Sequence, residues 1–448
     1  MNYSAEYKSK LRKPEEVAAL VNSFDHIDYG HFNGKPVVFD RALADRHEEL
    51  NAVEIWTAVS VPPIPETAKH QHHFLYHDWQ FSALSRVLQS YDRAYYSPII
   101  YHQAPQWYYE KILPERALTV IQVHPMDKYG FFNLGPQASE TLAKMTLSRA
   151  VCVEVNPNQP VCLGGANESV HISSVSYIIE QDEDIPLANI PGVTPTETDV
   201  QIANHVLEHI HDGSCIQLGI GGMPNAVGRL LADSGLKDLG GHTEMVAEAY
   251  VDMIESGVMT GNKKEIDRGR IAYTFSIGAT SLYEYLDNNP TFASYNVDYS
   301  NDPYVMRKLS NFVSINNAVQ IDLYTQVNAE SNGPVQISGN GGMWDFVFGA
   351  QLSPGGKSFI CLSSTYTDKE GVLRSRIVPN FDPCSITTIP RQMVDYIVTE
   401  YGAARMKSQN SWMRAERLIE IAHPQFRDDL IKEAQKMKIW TRTNRLGF

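Results

Sequence analysis

The chain has 448 residues, 43% of them hydrophobic and 20% charged, with 52 acidic against 38 basic side chains for a formal net charge of -14. That length is about three times the usual single domain and allows two sizeable cores. The acidic balance argues against nucleic acid or an anionic membrane surface as the main partner, although a local basic patch for one anionic metabolite is compatible with it.

The opening MNYSAEYKSKLRKPEEVAALV is polar and runs into helical spacing, without the apolar core of a secretory signal. No run approaches the roughly 18 apolar residues that span a bilayer. VEIWTAVSV, YYSPIIY, ALTVIQVH and RAVCVEVN are rich in β-branched and aromatic residues and read as buried strands. Helical spacing lies between them at Arg41–Leu50, Ala83–Tyr91 and Ser139–Arg149. Strands alternating with helices predict parallel sheets covered by helices. The histidine-rich KHQHHFLYH reads as a solvated loop, since no carboxylate pattern supports a metal there. The stretch from Asp182 to Asp199 has the composition of a linker, and Thr196 or Thr198 could cap the next helix.

The pattern then restarts. Asp199–His211 reads as a helix, SCIQLGIGG as a strand entering a glycine turn, and NAVGRLLADSG as the helix that leaves it. FVSINNAVQIDLY, KSFICLSSTY and DYIVTEYG are later strands, and the C-terminal RAERLIEIAHPQFRDDLIKEAQKM is helical with a break at His423–Pro424. Five scattered cysteines with no CxxC or Cys/His spacing read as reduced, buried thiols of a cytoplasmic protein, with no metal centre.

Three segments could carry chemistry. In LGIGGMPNAV, glycines after a strand and before a helix started by Pro224 let backbone N–H groups face an anion or oxyanion. Pro224 stands where a third dinucleotide-type glycine would be needed, so a ligand loop competes only with an ordinary tight turn. In GGHTEMVAEAYVDMIESG, Glu244 sits where a strand or glycine loop gives way to a helix; by spacing alone it is a cleft carboxylate or a solvated helix cap. In the segment from Ser314 to Phe346, the loop of Gly339, Gly341 and Gly342 could present N–H donors or be a plain hairpin turn. No GxSxG elbow is present.

Taken in order, QLGIGGMPNAVG, HTEM, SINNAVQIDLYTQVNAES, SGNGGMWDF, KSFICLSSTY and VTEYG resemble the acetyl-CoA hydrolase/transferase family, and within it the butyryl-CoA:acetate and 4-hydroxybutyrate CoA-transferase branch. VHPMDKYGFFNLG, CVEVN and VHISSVSYIIE extend the resemblance over the first half. It implies an α/β fold of two open-sheet domains of the CoA-transferase, NagB/RpiA-like type, residues 1–190 and 191–448, with the active site between them and the catalytic glutamate in the second. It implies Glu244 as the nucleophile and Asn301 of SNDP as an amide on the glutamyl carbonyl oxygen. Gly219, Ile220, Gly221, Gly222 and Met223 become a CoA-binding and oxyanion loop, and Gly341 and Gly342 supply a further backbone N–H. Val319 and Lys369 line the CoA groove, and Glu400 supports the catalytic glutamate.

The implied reaction moves coenzyme A from a short-chain acyl-CoA such as butyryl-CoA to a carboxylate such as acetate, by a ping-pong route through a glutamyl-CoA thioester. No cofactor is bound permanently, acyl-CoA being a substrate, and the protein is expected to be a homo-oligomer. Acyl-CoA hydrolysis, or transfer involving 4-hydroxybutyrate, succinate or itaconate, are the near alternatives; a nucleotide-dependent oxidoreductase and a non-catalytic CoA-binding regulator are the distant ones. Two departures bear on acyl choice: Thr325 replaces a glycine usual in relatives, and AARMKSQNSW follows VTEYG.

Overall fold

The computed structural model describes residues 3–70 and 72–439; Met1 and Asn2 of the polar opening, Gln71 of the histidine run and residues 440–448 lie outside that range. The chain divides into two compact units, and the division is not a single cut. The first unit takes the chain up to Pro191 and adds Thr243–Ala247 and Arg270–Asp302; the second takes Gly192–His242, Glu248–Gly269 and the chain from Pro303 onward. Glu244 and Asn301 therefore belong to the first unit rather than the second. The reason is strand pairing: Met245–Val246 pairs with Phe275–Ser276, and Phe292–Tyr295 pairs with Gly164–Ala166.

In the first unit, seven strands form one parallel sheet in the order Tyr177–Glu180, Val151–Val155, Leu118–Val123, His26–Tyr29, Val53–Thr57, Phe74–Asp78, Ala94–Tyr96. Every residue of Leu118–Val123 and of Val151–Val155 is buried, as expected of a sheet covered on both faces. The central His26–Tyr29 strand was not expected, being only four residues long. HFLYH is no solvated loop: Phe74–Asp78 is a strand with Phe74 and Tyr76 in the core, and His77 stacks flat on Trp56, their rings 4.4 Å apart. The strand expected in YYSPIIY ends at Tyr96, two residues before Pro98, which has no N–H for a ladder. The helix expected over Ser139–Arg149 forms only at Thr141–Thr146.

In the second unit, Gly240–Gly241, Cys215–Leu218, Phe312–Asn317, Lys357–Cys361, Tyr396–Thr399 and Gly402–Arg405 form a six-stranded sheet in that order, parallel except for the last pair. The helix Glu197–Leu207 is capped by Thr196, whose Oγ1 accepts from Asp199 N–H at 3.2 Å while Asp199 reciprocates. Thr198, the other candidate, lies inside that helix. Met343–Leu352 is a helix where only a glycine turn was expected. Cys152, Cys162, Cys215 and Cys361 are buried free thiols and Cys384 is exposed. Among the described residues no helix is long and apolar enough to cross a membrane.

Candidate active site

Glu244 precedes the short strand Met245–Val246 and is only partly buried, although Thr243 and Met245 beside it are buried. Its backbone is fixed on both sides. Thr243 N–H donates to the Ala272 carbonyl at 2.9 Å, and the Glu244 carbonyl accepts from Thr274 N–H at 3.0 Å and Phe275 N–H at 3.2 Å. Met245 and Phe275 are buried in one apolar cluster with Phe32, Trp79 and Val297. The side chain is thus carried on a rigid, packed segment. It stands ahead of a strand, four residues before the helix Glu248–Glu255, and not at the start of that helix as its sequence context suggests.

Asn301 reaches the same carboxylate. It caps the C-terminus of the short helix Val297–Ser300, its N–H donating to Val297 O at 3.0 Å, and its side chain is fully buried. Asn301 Nδ2 donates to Glu244 Oε2 at 2.6 Å, short even for a bond to a charged acceptor, and Asn301 Oδ1 accepts from Ser300 Oγ at 2.9 Å. The amide thereby fixes Oε2 of the carboxylate. These two expected residues, 57 positions apart, are brought together within one unit.

The glycine loop lies in the second unit. Gly219 N–H donates to Ile315 O at 2.9 Å, and the exposed Ile220 offers its carbonyl to Asn317 Nδ2 at 3.0 Å. Gly221 has φ 115 and ψ -174, a conformation open almost only to glycine, and N-caps the helix Gly222–Asp233 in which Met223 is buried. A Cβ on Gly222 would come within 2.8 Å of Asp199 Oδ2. The first-turn N–H groups of such a helix have no acceptor inside it, which makes the turn an anion seat. Gly342 N-caps the helix Met343–Leu352 at φ -90, with Gly341 at φ 47 before it, and the first-turn N–H of Met343 donates to Asn340 O at 3.0 Å.

The remaining expected residues form local groups of their own in the second unit. Val319 is held by its N–H to Asn328 O at 2.8 Å and by Arg376 Nη1 on its carbonyl at 3.0 Å. Lys369 is exposed at the tip of the hairpin Thr365–Thr367/Leu373–Ser375. Glu400 sits in the turn after Tyr396–Thr399, its carboxylate taking Ser364 N–H at 2.8 Å and Ser364 Oγ at 2.5 Å. Thr325 is buried at φ 64, a conformation glycine adopts more readily, and Arg414 Nη1 donates to its Oγ1 at 2.8 Å. Thr274, Phe275 and Ser364, which hold the glutamates, were not singled out from sequence. All three act through backbone N–H groups, which leave no side-chain signature, and Ser364 adds its hydroxyl.

The chain matches the N-terminal domain model of acetyl-CoA hydrolase/transferase over residues 1–191 and the C-terminal domain model over residues 278–434. It is 46% identical over 447 residues to butyryl-CoA:acetate CoA-transferase of Anaerostipes caccae, covering 99% of this chain and 100% of that one. It is 36% identical to 4-hydroxybutyrate coenzyme A transferase of Clostridium kluyveri, covering 97% and 100%. The crystal structure of RipA from Yersinia pestis superposes with a TM-score of 0.88 at 34% identity, covering 98% and 100%. That of 4-hydroxybutyrate CoA-transferase from Porphyromonas gingivalis gives 0.79 at 30% identity, covering 97% and 100%.

Proposed function

Because this chain belongs to the acetyl-CoA hydrolase/transferase family and is a CoA-transferase, we propose that it carries coenzyme A from butyryl-CoA or a similar short-chain acyl-CoA to acetate through a thioester on Glu244. The observation that carries the reading is the 2.6 Å bond from Asn301 to Glu244 Oε2.

Oε1 of Glu244 attacks the thioester carbonyl, and collapse of the tetrahedral adduct expels CoA thiolate and leaves a mixed anhydride on Oε1. The thiolate then attacks Cδ of Glu244. Charge develops on Oε2, where the Asn301 amide already points, and donors aimed at developing charge are the usual large contribution to such steps. Expulsion of the first carboxylate, which takes Oε1 with it, leaves glutamyl-CoA. The acceptor carboxylate runs the two steps in reverse. One thioester replaces another, so neither ATP nor a metal is consumed, and the covalent relay divides one hard exchange into easier steps. The helix starts at Gly221–Met223 and Gly341–Gly342 are assigned to CoA binding through their N–H groups, with Val319 and Lys369 along the groove and Glu400 in support of the glutamate. A cytoplasmic homo-oligomer is part of the same reading, tested by sedimentation of the purified protein and by fractionation of cells.

The oxygen bookkeeping supplies the test. Turnover with 18O-acetate should place label in the peptide that contains Glu244 and in no other, and hydroxylamine after acyl-CoA alone should form a hydroxamate there. A Glu244→Gln enzyme with normal transfer sinks the proposal. Conversion of butyryl-CoA to free CoA at the same rate with and without acetate would replace transfer by hydrolysis.

A further inference from the structure

Ser139 lies 105 positions before Glu244 and touches neither partner of the Asn301–Glu244 bond, yet both of their supports run through it. The segment from Pro136 lies alongside Thr274–Ser276: Ser276 N–H donates to Pro136 O at 2.8 Å, and Ala138 and Ser139 N–H donate to Thr274 O at 2.9 and 3.3 Å. Thr274 N–H in turn holds the Glu244 carbonyl. The Ser139 carbonyl accepts from Val297 N–H at 2.9 Å, and Val297 O anchors the N–H of Asn301. One residue thus links the strand under the nucleophile to the turn that delivers its amide partner.

That residue is buried and held at φ 43, a left-handed conformation that crowds the Cβ of a non-glycine residue. Two features hold it there. Tyr101 Oη donates to Ser139 Oγ at 3.1 Å. Next in sequence, the buried Glu140 carboxylate lies 2.9 Å from His31 Nε2 and 3.0 Å from Lys144 Nζ, and Lys144 also donates to Tyr29 O at 3.0 Å. Burial alone would raise the Glu140 carboxyl, but His31 and Lys144 together bring it down to about 2. The turn is therefore tethered by a charge that stays ionised.

We propose that Ser139 is a positioning residue for the transfer reaction, its strained turn fixing the separation between the Glu244 strand and the Asn301 amide. The proposal rests on Glu244 being the nucleophile. Glycine relieves the strain, removes the Tyr101 contact and frees the turn, so Ser139→Gly should leave the melting temperature equal or higher. It should slow kcat and the single-turnover formation of glutamyl-CoA roughly tenfold, with KM for acyl-CoA within about twofold. Tyr101→Phe should slow the same step, and the double variant should be no slower than Ser139→Gly alone. A purely structural role would show the reverse pattern, loss of activity tracking loss of stability. Ser139→Gly with wild-type single-turnover rates, or a rate loss matched by a fall in melting temperature, overturns the inference. Glu244→Gln is run beside it: if that variant turns over, the nucleophile assignment has failed; if it is inert while Ser139→Gly is normal, only the positioning role has.

Discussion

Replacing Asn301 by alanine tests the site most directly. Hydrogen bonds to charged groups contribute about 1.5–3 kcal/mol to stability, and loss of one oxyanion donor costs about 2.7–4 kcal/mol in the transition state. The Asn301 bond, 2.6 Å long to Oε2 from a fully buried side chain, is of the strong kind. Asn301→Ala should therefore lower kcat about 10²–10³-fold, with KM for acyl-CoA changed by less than about threefold, because the donor matters when charge gathers on Oε2. The Ser300 hydroxyl that donates to Asn301 Oδ1 would lose its acceptor, so thermal denaturation must accompany the rates. Asn301→Asp sharpens the test. It sets a second carboxyl within hydrogen-bond reach of Glu244, and two such groups share one proton. At acid pH the protonated aspartic acid can donate to Glu244 and restore part of the rate; as pH rises and the shared proton leaves, two like charges remain and activity falls. Chromatographic assay of acyl-CoA products from pH 5 to 8 reads both effects. Asn301→Ala with kcat within threefold of wild type, or an Asn301→Asp profile parallel to wild type, refutes the reasoning.

Gly221→Ala should raise KM for acyl-CoA at least fivefold, measured by initial rates, because φ 115 with ψ -174 costs an L side chain about 1–3 kcal/mol. Arg414→Ala should lower the melting temperature, and should cost about a third less in a Thr325→Gly background, where one of its three side-chain bonds, to Thr325 Oγ1, Arg391 O and Gln409 O, is already gone. Burial pushes the Asp78 carboxyl up from 3.8 to about 7, against hydrogen bonds from Ser85 Oγ and the Gln80 and Val59 N–H groups. The folded chain thus holds a proton that the unfolded chain gives up near pH 4, so stability falls as pH rises from about 4 to 7, by an amount on the order of 4 kcal/mol. Asp78→Asn, whose amide can keep the same partners, should flatten that slope in denaturant titrations and stabilise the protein at pH 8. Glu140 has the opposite sign: its contribution, complete above about pH 4.5, is lost as pH falls toward 2.

Signals confined to a few neighbouring residues were legible in the sequence. Thr196 or Thr198 ahead of helical spacing gave a helix start, the buried runs around Leu118–Val123 and Val151–Val155 gave parallel strands, and the glycines before Pro224 gave a strand-to-helix turn. HFLYH was misread because histidine counts as polar, whereas His77 covers the Trp56 ring and lies 3.0 Å from Glu54 Oε2. The helix Met343–Leu352 escaped because apolar residues occupy most of its positions, with no alternating stripe to reveal a period. Glu244 was indistinguishable from a helix cap by spacing, and only family resemblance singled it out. What makes it distinctive is tertiary: two- and three-residue strands too short to show any period, and a serine at a positive φ that looks like any other serine.

The repeated return of the chain to its first unit governs how the molecule can be made. Met245, Phe275 and Val297 belong to the same apolar cluster as Phe32, Trp79 and Tyr101, yet they leave the ribosome long after Pro191. A polypeptide halted at the boundary between the two family domains would expose that cluster and leave Gly164–Ala166 without its ladder neighbour Phe292–Tyr295. The N-terminal half is therefore expected to stay open to chaperones until residues near 302 have been synthesised, and expression of residues 1–191 alone should yield aggregate where residues 1–302 fare better.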